Sequence, residues 1–117
     1  MANQVAITGN LGKDPELRYA ASGTPLCKFS VAVWQGKDKG AAWTPVVVFG
    51  QYAENVAESF GKGDTVICVG RLSLSEWETE DGEKRSRLEM IADEVGPSLR
   101  WATCTINRAE RSEQTSF

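Results

Sequence analysis

The sequence predicts an all-β domain: five strands closed into a small barrel, with one short helix between the third and fourth strands. Three observations carry this. Apolar and polar residues alternate in run after run, the two-residue period of a half-buried strand. That period changes once, in QYAENVAESFGKGD, to the spacing of a helix. Turn signals rich in glycine, Asp81-Gly82 among them, separate the runs.

The first strand is QVAITGNLG, where Val5 and Ile7 stand between polar neighbours. LRYAASGTP reads as a short strand and a Ser-Gly turn. In the second strand, TPLCKFSVAVW, Cys27, Phe29, Val31 and Val33 share one face; Lys28, Ser30, Ala32 and Trp34 share the other. WTPVVVFG is the third strand. Pro45 has no N–H for a ladder bond, so it must sit at an edge, a strand start or a bulge. In the helix, Tyr52, Val56 and Phe60 recur four residues apart beside Ala53 and Ala57, and Gly61 and Gly63 stop it. TVICVGRLSLSEWE is a long fourth strand, EDGE its hairpin turn and KRSRLEMIADEV the fifth strand. VGPSLRWATCTIN has the composition of an extra C-terminal strand-like segment. Residues 1–107 form the domain, and 108–117 are expected to be a short disordered tail.

Periodicity alone leaves an SH3-like barrel or a small sandwich open. A helix between the third and fourth strands, placed to plug an open barrel end, favours the OB-fold, a five-stranded Greek-key barrel.

Composition excludes several functions. No run of about eighteen apolar residues exists, so no membrane span is expected. MANQVAITGN lacks a basic segment followed by an apolar core, which argues against secretion. Three cysteines and no histidine support neither a Cys/His zinc site nor a disulfide framework. Cys27 and Cys68 lie in apolar strands and read as small buried hydrophobes. A reducing cytoplasmic setting follows, and no metal or cofactor is implied. Net charge is −3, but residues 1–75 carry seven basic and six acidic groups whereas 76–117 carry six and ten. Exposed charges more than about 10 Å apart are screened, so a local basic track can operate on an acidic protein.

Strand parity then sorts the aromatics. Trp43 and Phe49 share a face opposite Val46 and Val48; Trp34 shares its face with Lys28; Trp77 goes with Arg71, Ser73 and Ser75, opposite Leu72 and Leu74. Three strands thus turn large aromatics away from their most apolar neighbours, unless a bulge at Pro45 shifts one of them. Candidate cations are Lys13, Arg18, Lys28, Lys37, Lys39, Arg71, Lys84, Arg85 and Arg87. Aromatics interleaved with cations suit single-stranded nucleic acid, because every base has a π face to stack and a phosphate to neutralise. The plainer alternative makes these aromatics core or interface. Trp101, near Leu99, reads as packing or a subunit contact.

Chemistry-bearing motifs are lacking. GNLGK has the wrong spacing for a phosphate-binding loop, ETEDGE fails the calcium-loop pattern, and no nucleophile–base pair suggests itself. The chain reads as a binding protein, not an enzyme.

The residues also resemble a family. GNLGKDPELRY (Gly9 to Tyr19) and WTPVVVFGQYAENVAESFGKGDTVICVGRL (Trp43 to Leu72) are similar to signatures of bacterial single-stranded DNA-binding proteins, and EVGPSLRWAT resembles the C-terminal segment of actinobacterial members. The resemblance implies an OB-fold subunit of a homotetramer that binds single-stranded DNA in replication, recombination or repair, in the cytoplasm at the nucleoid. It places Trp43, Phe49 and Trp77 at stacking positions, Trp34 a few residues short of another, Gly12 after the first strand and Arg71 on the fourth-strand track. Three departures stand out. Thr44 replaces a histidine common at a subunit contact; Glu76 and Glu78 flank Trp77 where basic residues are common; and SEQTSF holds only one acid, Glu113, so docking of replication enzymes through an acidic tail is not implied. A rival reading is an OB-fold assembly accessory of primosome type using the same surface for protein contacts. An RNA chaperone of cold-shock type is a weaker third, since the clustered aromatic pattern is missing.

Overall fold

A computed structural model describes residues 3–37 and 39–108. Seven elements succeed one another: β1 (Val5–Leu11), β2 (Glu16–Tyr19), β3 (Pro25–Trp34), β4 (Ala41–Phe49), α1 (Gln51–Ser59), β5 (Thr65–Glu78) and β6 (Lys84–Pro97). β2 is the short strand expected in LRYAASGTP, and the other five are those predicted. They hydrogen-bond in the order β1-β5-β6-β4-β3, and β3 returns to β1 at Asn10↔Ala32 and Leu11↔Val31. The strands therefore close into a ring, with β2 as a fringe on β3.

Alternation decides what fills the ring. Cys27, Phe29 and Val31 of β3, Val46 and Val48 of β4, Val66 and Cys68 of β5, and Met90 and Ala92 of β6 form one buried cluster. Each fully buried Val, Phe or Met side chain contributes roughly 1.5–3 kcal/mol. The helix adds Ala53 and Val56 to the same cluster, plugging it as expected. Gly50 makes the turn into α1 possible, since its φ of 87° lies where a side chain is strained. Tyr52 then ties the helix to β6, its hydroxyl accepting the Val95 N–H.

Two irregularities matter for the outer face. At Val69/Gly70 the β5–β6 register slips by one residue, leaving Asp93 extra on β6. The bulge lets Val95 reach the core although Met90 and Ala92 have the other parity. At Pro45 there is no slip: β3 and β4 stay in register from Leu26↔Phe49 to Trp34↔Ala41. The β4–β6 ladder covers only Val46 and Val47, so Pro45 sits where the other edge of β4 is unpaired.

Beyond Leu72, β5 and β6 leave the ring as a two-stranded arm, paired out to Glu78↔Lys84. The five residues from Leu74 to Glu78 and their partners are all exposed. One expectation needs correcting. No extra C-terminal strand forms: β6 absorbs Val95–Pro97, and residues 98–108 belong to no strand. β5 begins at Thr65, so after the Ser98 N–H donates to the Thr65 carbonyl at 2.9 Å the partner strand runs out. The expected disordered tail lies, but for Arg108, outside the described residues.

Candidate nucleic-acid interface

The parities hold, and the register arranges them in rows across the outer face. Arg71 of β5 stands opposite Ile91 of β6, Ile91 opposite Val47 of β4, Val47 opposite Lys28 of β3, and Lys28 opposite Glu16 of β2. In the same way Trp77 faces Arg85, and Ser75 faces Arg87. The aromatics are open to solvent: Trp34 is 73% exposed, Trp43 61%, Phe49 51% and Trp77 49%. Phe29, on the inward face of β3, is buried at 7%. The contrast separates the outer face from the core.

A groove of about 530 Å³ brings together Lys13, Arg18, Lys28, Trp43 and Arg87. Its floor includes Ser30 and Pro45, and acids also line it: Asp14, Glu16 and Glu89. Two of those acids are already engaged. Asp14 accepts the backbone N–H of Lys62 at 2.7 Å, and Glu16 pairs with Arg18 at 3.0 Å. A second recess, at the arm tip, joins Trp77, Lys84 and Arg85 with Glu76, Glu78 and Ser86. Arg85 there pairs with Glu83 at 2.8 Å. Exposed pairs of this kind are worth at most about 1 kcal/mol, so both arginines can exchange a carboxylate for a phosphate.

Phe49, Trp34, Lys37, Lys39 and Arg71 lie outside both recesses. Phe49 stands at the far end of β4, six residues or about 20 Å along the strand from Trp43. Leu26 separates it from Arg18 across β3. Trp34 ends β3, and Lys37 and Lys39 are exposed in the loop after it, which Gln35 N–H closes onto the Gly40 carbonyl. Arg71 is exposed on β5. Lys84, which lines the second recess, stands opposite Glu78 in the β5–β6 ladder, so on the arm it takes the face opposite to Trp77, Arg85 and Arg87.

Three features lie beyond the sequence reading. The first is the two ion pairs, although each joins residues two apart in the chain and is legible as such. The second is Val47, 2% exposed although it lies on the outer face between Lys28 and Ile91. The third is the contact of Gly12 with Trp43, which joins segments about thirty residues apart. Trp101 does not pack on the ring; at 79% exposed, with Arg100 over its indole at 6.0 Å, it is open to solvent. Cys27 and Cys68 are free and buried, and burial pushes their thiols up to about 11 and about 12. No cluster that could hold a metal occurs among the described residues, and none of their helices is long and apolar enough to cross a membrane.

A closed OB-type ring whose aromatics and cations share an open outer face defines a small polymer-binding module. Within that class the chain belongs to the Single-strand binding protein family, whose profile matches residues 2–98. It is 43% identical to the single-stranded DNA-binding protein of Mycobacterium tuberculosis, over 92% of this chain and 71% of that one. Identity to the protein of the same name from Paenarthrobacter aurescens is 42%, over 96% and 72%. For Corynebacterium glutamicum it is 43%, over 92% and 52%.

Proposed function

We propose that this protein binds single-stranded DNA without sequence preference and shelters it during replication, recombination or repair. One observation carries the reading: four large aromatics, each about half exposed or more, stand on the outer face with cations around them. Bases stack on Trp43, Phe49, Trp77 and Trp34. Lys13, Arg18, Lys28, Arg71, Arg85 and Arg87 neutralise phosphates along the face, with Lys37 and Lys39 beyond Trp34 and Lys84 at the arm tip. Each stack contributes roughly 1–3 kcal/mol, so four supply much of a micromolar affinity, about 8 kcal/mol. No bond is made or broken. Single strands are favoured because a duplex hides the π faces that the tryptophans need. The named relatives favour this over the assembly-accessory reading.

The active species is a homo-oligomer, a tetramer by family resemblance. Leu99, Trp101 and Ile106 support a subunit contact, exposed at 61%, 79% and 87% on a segment that belongs to no strand once the Ser98 N–H has bonded the Thr65 carbonyl. Sedimentation of a Trp101→Ala variant against the parent tests this; an unchanged mass would remove Trp101 from the contact.

The deciding experiment is a tryptophan fluorescence titration with oligo(dT), repeated with the matching duplex. Strong quenching by the single strand alone is expected, with log affinity falling against log salt by about 0.7 per phosphate neutralised. Absence of quenching together with a silent gel shift would overturn the reading.

A further inference from the structure

We infer that Gly12 is a positioning residue for DNA binding: its missing side chain is the seat on which the Trp43 indole lies. The inference rests on the stacking role proposed for Trp43, and extends it to a residue that has no side chain to offer a base.

Gly12 continues β1 past Leu11, and its N–H donates to the Ser30 carbonyl at 3.2 Å. Trp43 belongs to β4, and β3 runs between the two. The indole therefore reaches over β3, where Ala32 and Ser30 are the outward residues and both are small. A Cβ built on Gly12 would stand 2.5 Å from Trp43 Cζ3 and 2.7 Å from Cη2. Carbon atoms pack at roughly 3.5–4.0 Å, so the benzene edge of the indole fills the space an alanine methyl would need.

Backbone conformation does not explain this glycine. Gly12 is absent from the residues with positive φ, so alanine is admissible there on conformational grounds. The requirement comes from the ring. One edge of Trp43 is held by Gly12 while the residue remains 61% exposed, leaving surface for a base. A seated ring has already lost the rotational freedom that binding would otherwise remove. Lys13, the next residue, lines the same groove, so the seat also places a cation beside the stacking platform.

The test begins without DNA. In a chain carrying Trp34→Phe, Trp77→Phe and Trp101→Phe, Trp43 is the sole tryptophan. Adding Gly12→Ala should shift its emission to longer wavelength and raise quenching by iodide; unchanged emission and quenching would overturn the seat. With oligo(dT), Gly12→Ala in the otherwise unaltered chain should weaken binding about fivefold or more, bounded by the loss in Trp43→Ala. In the Trp43→Ala background the same change should cost under about twofold, since the two act through one contact. Equal losses in both backgrounds would overturn the inference. If Trp43→Ala itself leaves affinity intact, the stacking role fails, yet the emission still decides whether the seat exists. Should Gly12→Ala fail to fold, Gly12→Ala with Trp43→Phe should recover folding, because a phenyl ring lacks the Cζ3–Cη2 edge; failure of that pair too would refute the steric account.

Discussion

Trp43 and Trp77 present the same side chain, yet they stand on different supports. Trp43 sits on the closed ring, with β3 on one side of its strand and Gly12 against its edge. Trp77 stands near the end of a two-stranded arm, opposite Arg85 and flanked in sequence by Glu76 and Glu78. An isolated hairpin is marginal in water. The arm's own apolar support is thin: Leu74 and Leu88 face each other across it, but are 58% and 52% exposed. The difference is one of preorganisation. On the proposed stacking roles, a base at Trp43 meets a ring held by its neighbours, whereas a base at Trp77 also immobilises a thinly packed arm, and that entropy is subtracted from the stack.

The largest expected effect breaks the comparison at its centre. Trp43→Ala should weaken oligo(dT) binding by about 1–3 kcal/mol, roughly five- to 150-fold. Trp77→Ala should fall at or below the lower end of that range, about 1 kcal/mol. Both are measured by titration at one fixed salt concentration, with a labelled oligonucleotide reporting so that the lost fluorophore does not matter. A larger loss for Trp77 would invert the ranking and make the arm the principal platform.

Alkaline pH should separate ring from arm by stability instead of affinity. Burial raises the Cys27 and Cys68 thiols from an ordinary 9.0 to about 11 and about 12. Burial also raises the Tyr52 phenol. A raised value means that the folded state holds its proton more tightly than the unfolded chain does. The thiols' contribution is therefore complete below pH 9 and is lost as pH climbs from there through 11 and 12. The thermal midpoint should fall above about pH 9. Cys68→Ala starts lower, because it opens a small cavity, but should descend less steeply. Arm substitutions should leave the slope unchanged, since no titratable group on the arm is buried. An identical slope in Cys68→Ala would remove that thiol as a cause.

Legibility in the sequence divides along the same line. Period-two alternation reveals the ring strands and the outward tryptophans because one face of each strand is buried, which makes register costly to slip. Unbroken β3–β4 register through Pro45 then keeps Trp43 and Phe49 where parity places them. The bulge at Asp93 is not legible in IADEV itself; it lies opposite Gly70, where β5 approaches Ile91 and Ala92 too closely for a side chain, and it turns Val95 toward the core beside Tyr52. The composition of 98–108 suggests a strand, but strands need a partner edge, which composition does not report. Gly12 stands out in the sequence only as a glycine in a motif. Its reason is a contact across β3 that local spacing does not contain.

The smallest expected effect sharpens the comparison through charge. Glu76 and Glu78 share the second recess with Trp77, Lys84 and Arg85, whereas Glu89 lines the ring groove with Arg87, Lys28 and Trp43. Among the described residues, none of the three glutamates forms an ion pair. A carboxylate near a phosphate path repels it, and at exposed sites each such interaction is worth at most about 1 kcal/mol. Glu89→Gln should therefore strengthen oligo(dT) binding by about two- to fivefold at low salt. Glu76→Gln with Glu78→Gln should together give about twofold or less, because these two alternate with Trp77 and project from the arm's other face. Both gains should shrink as salt rises and the screening length drops below about 10 Å. Greater improvement from the arm pair than from Glu89 would mean that the phosphate track runs along the arm, and that the ring groove holds bases with few of their phosphates.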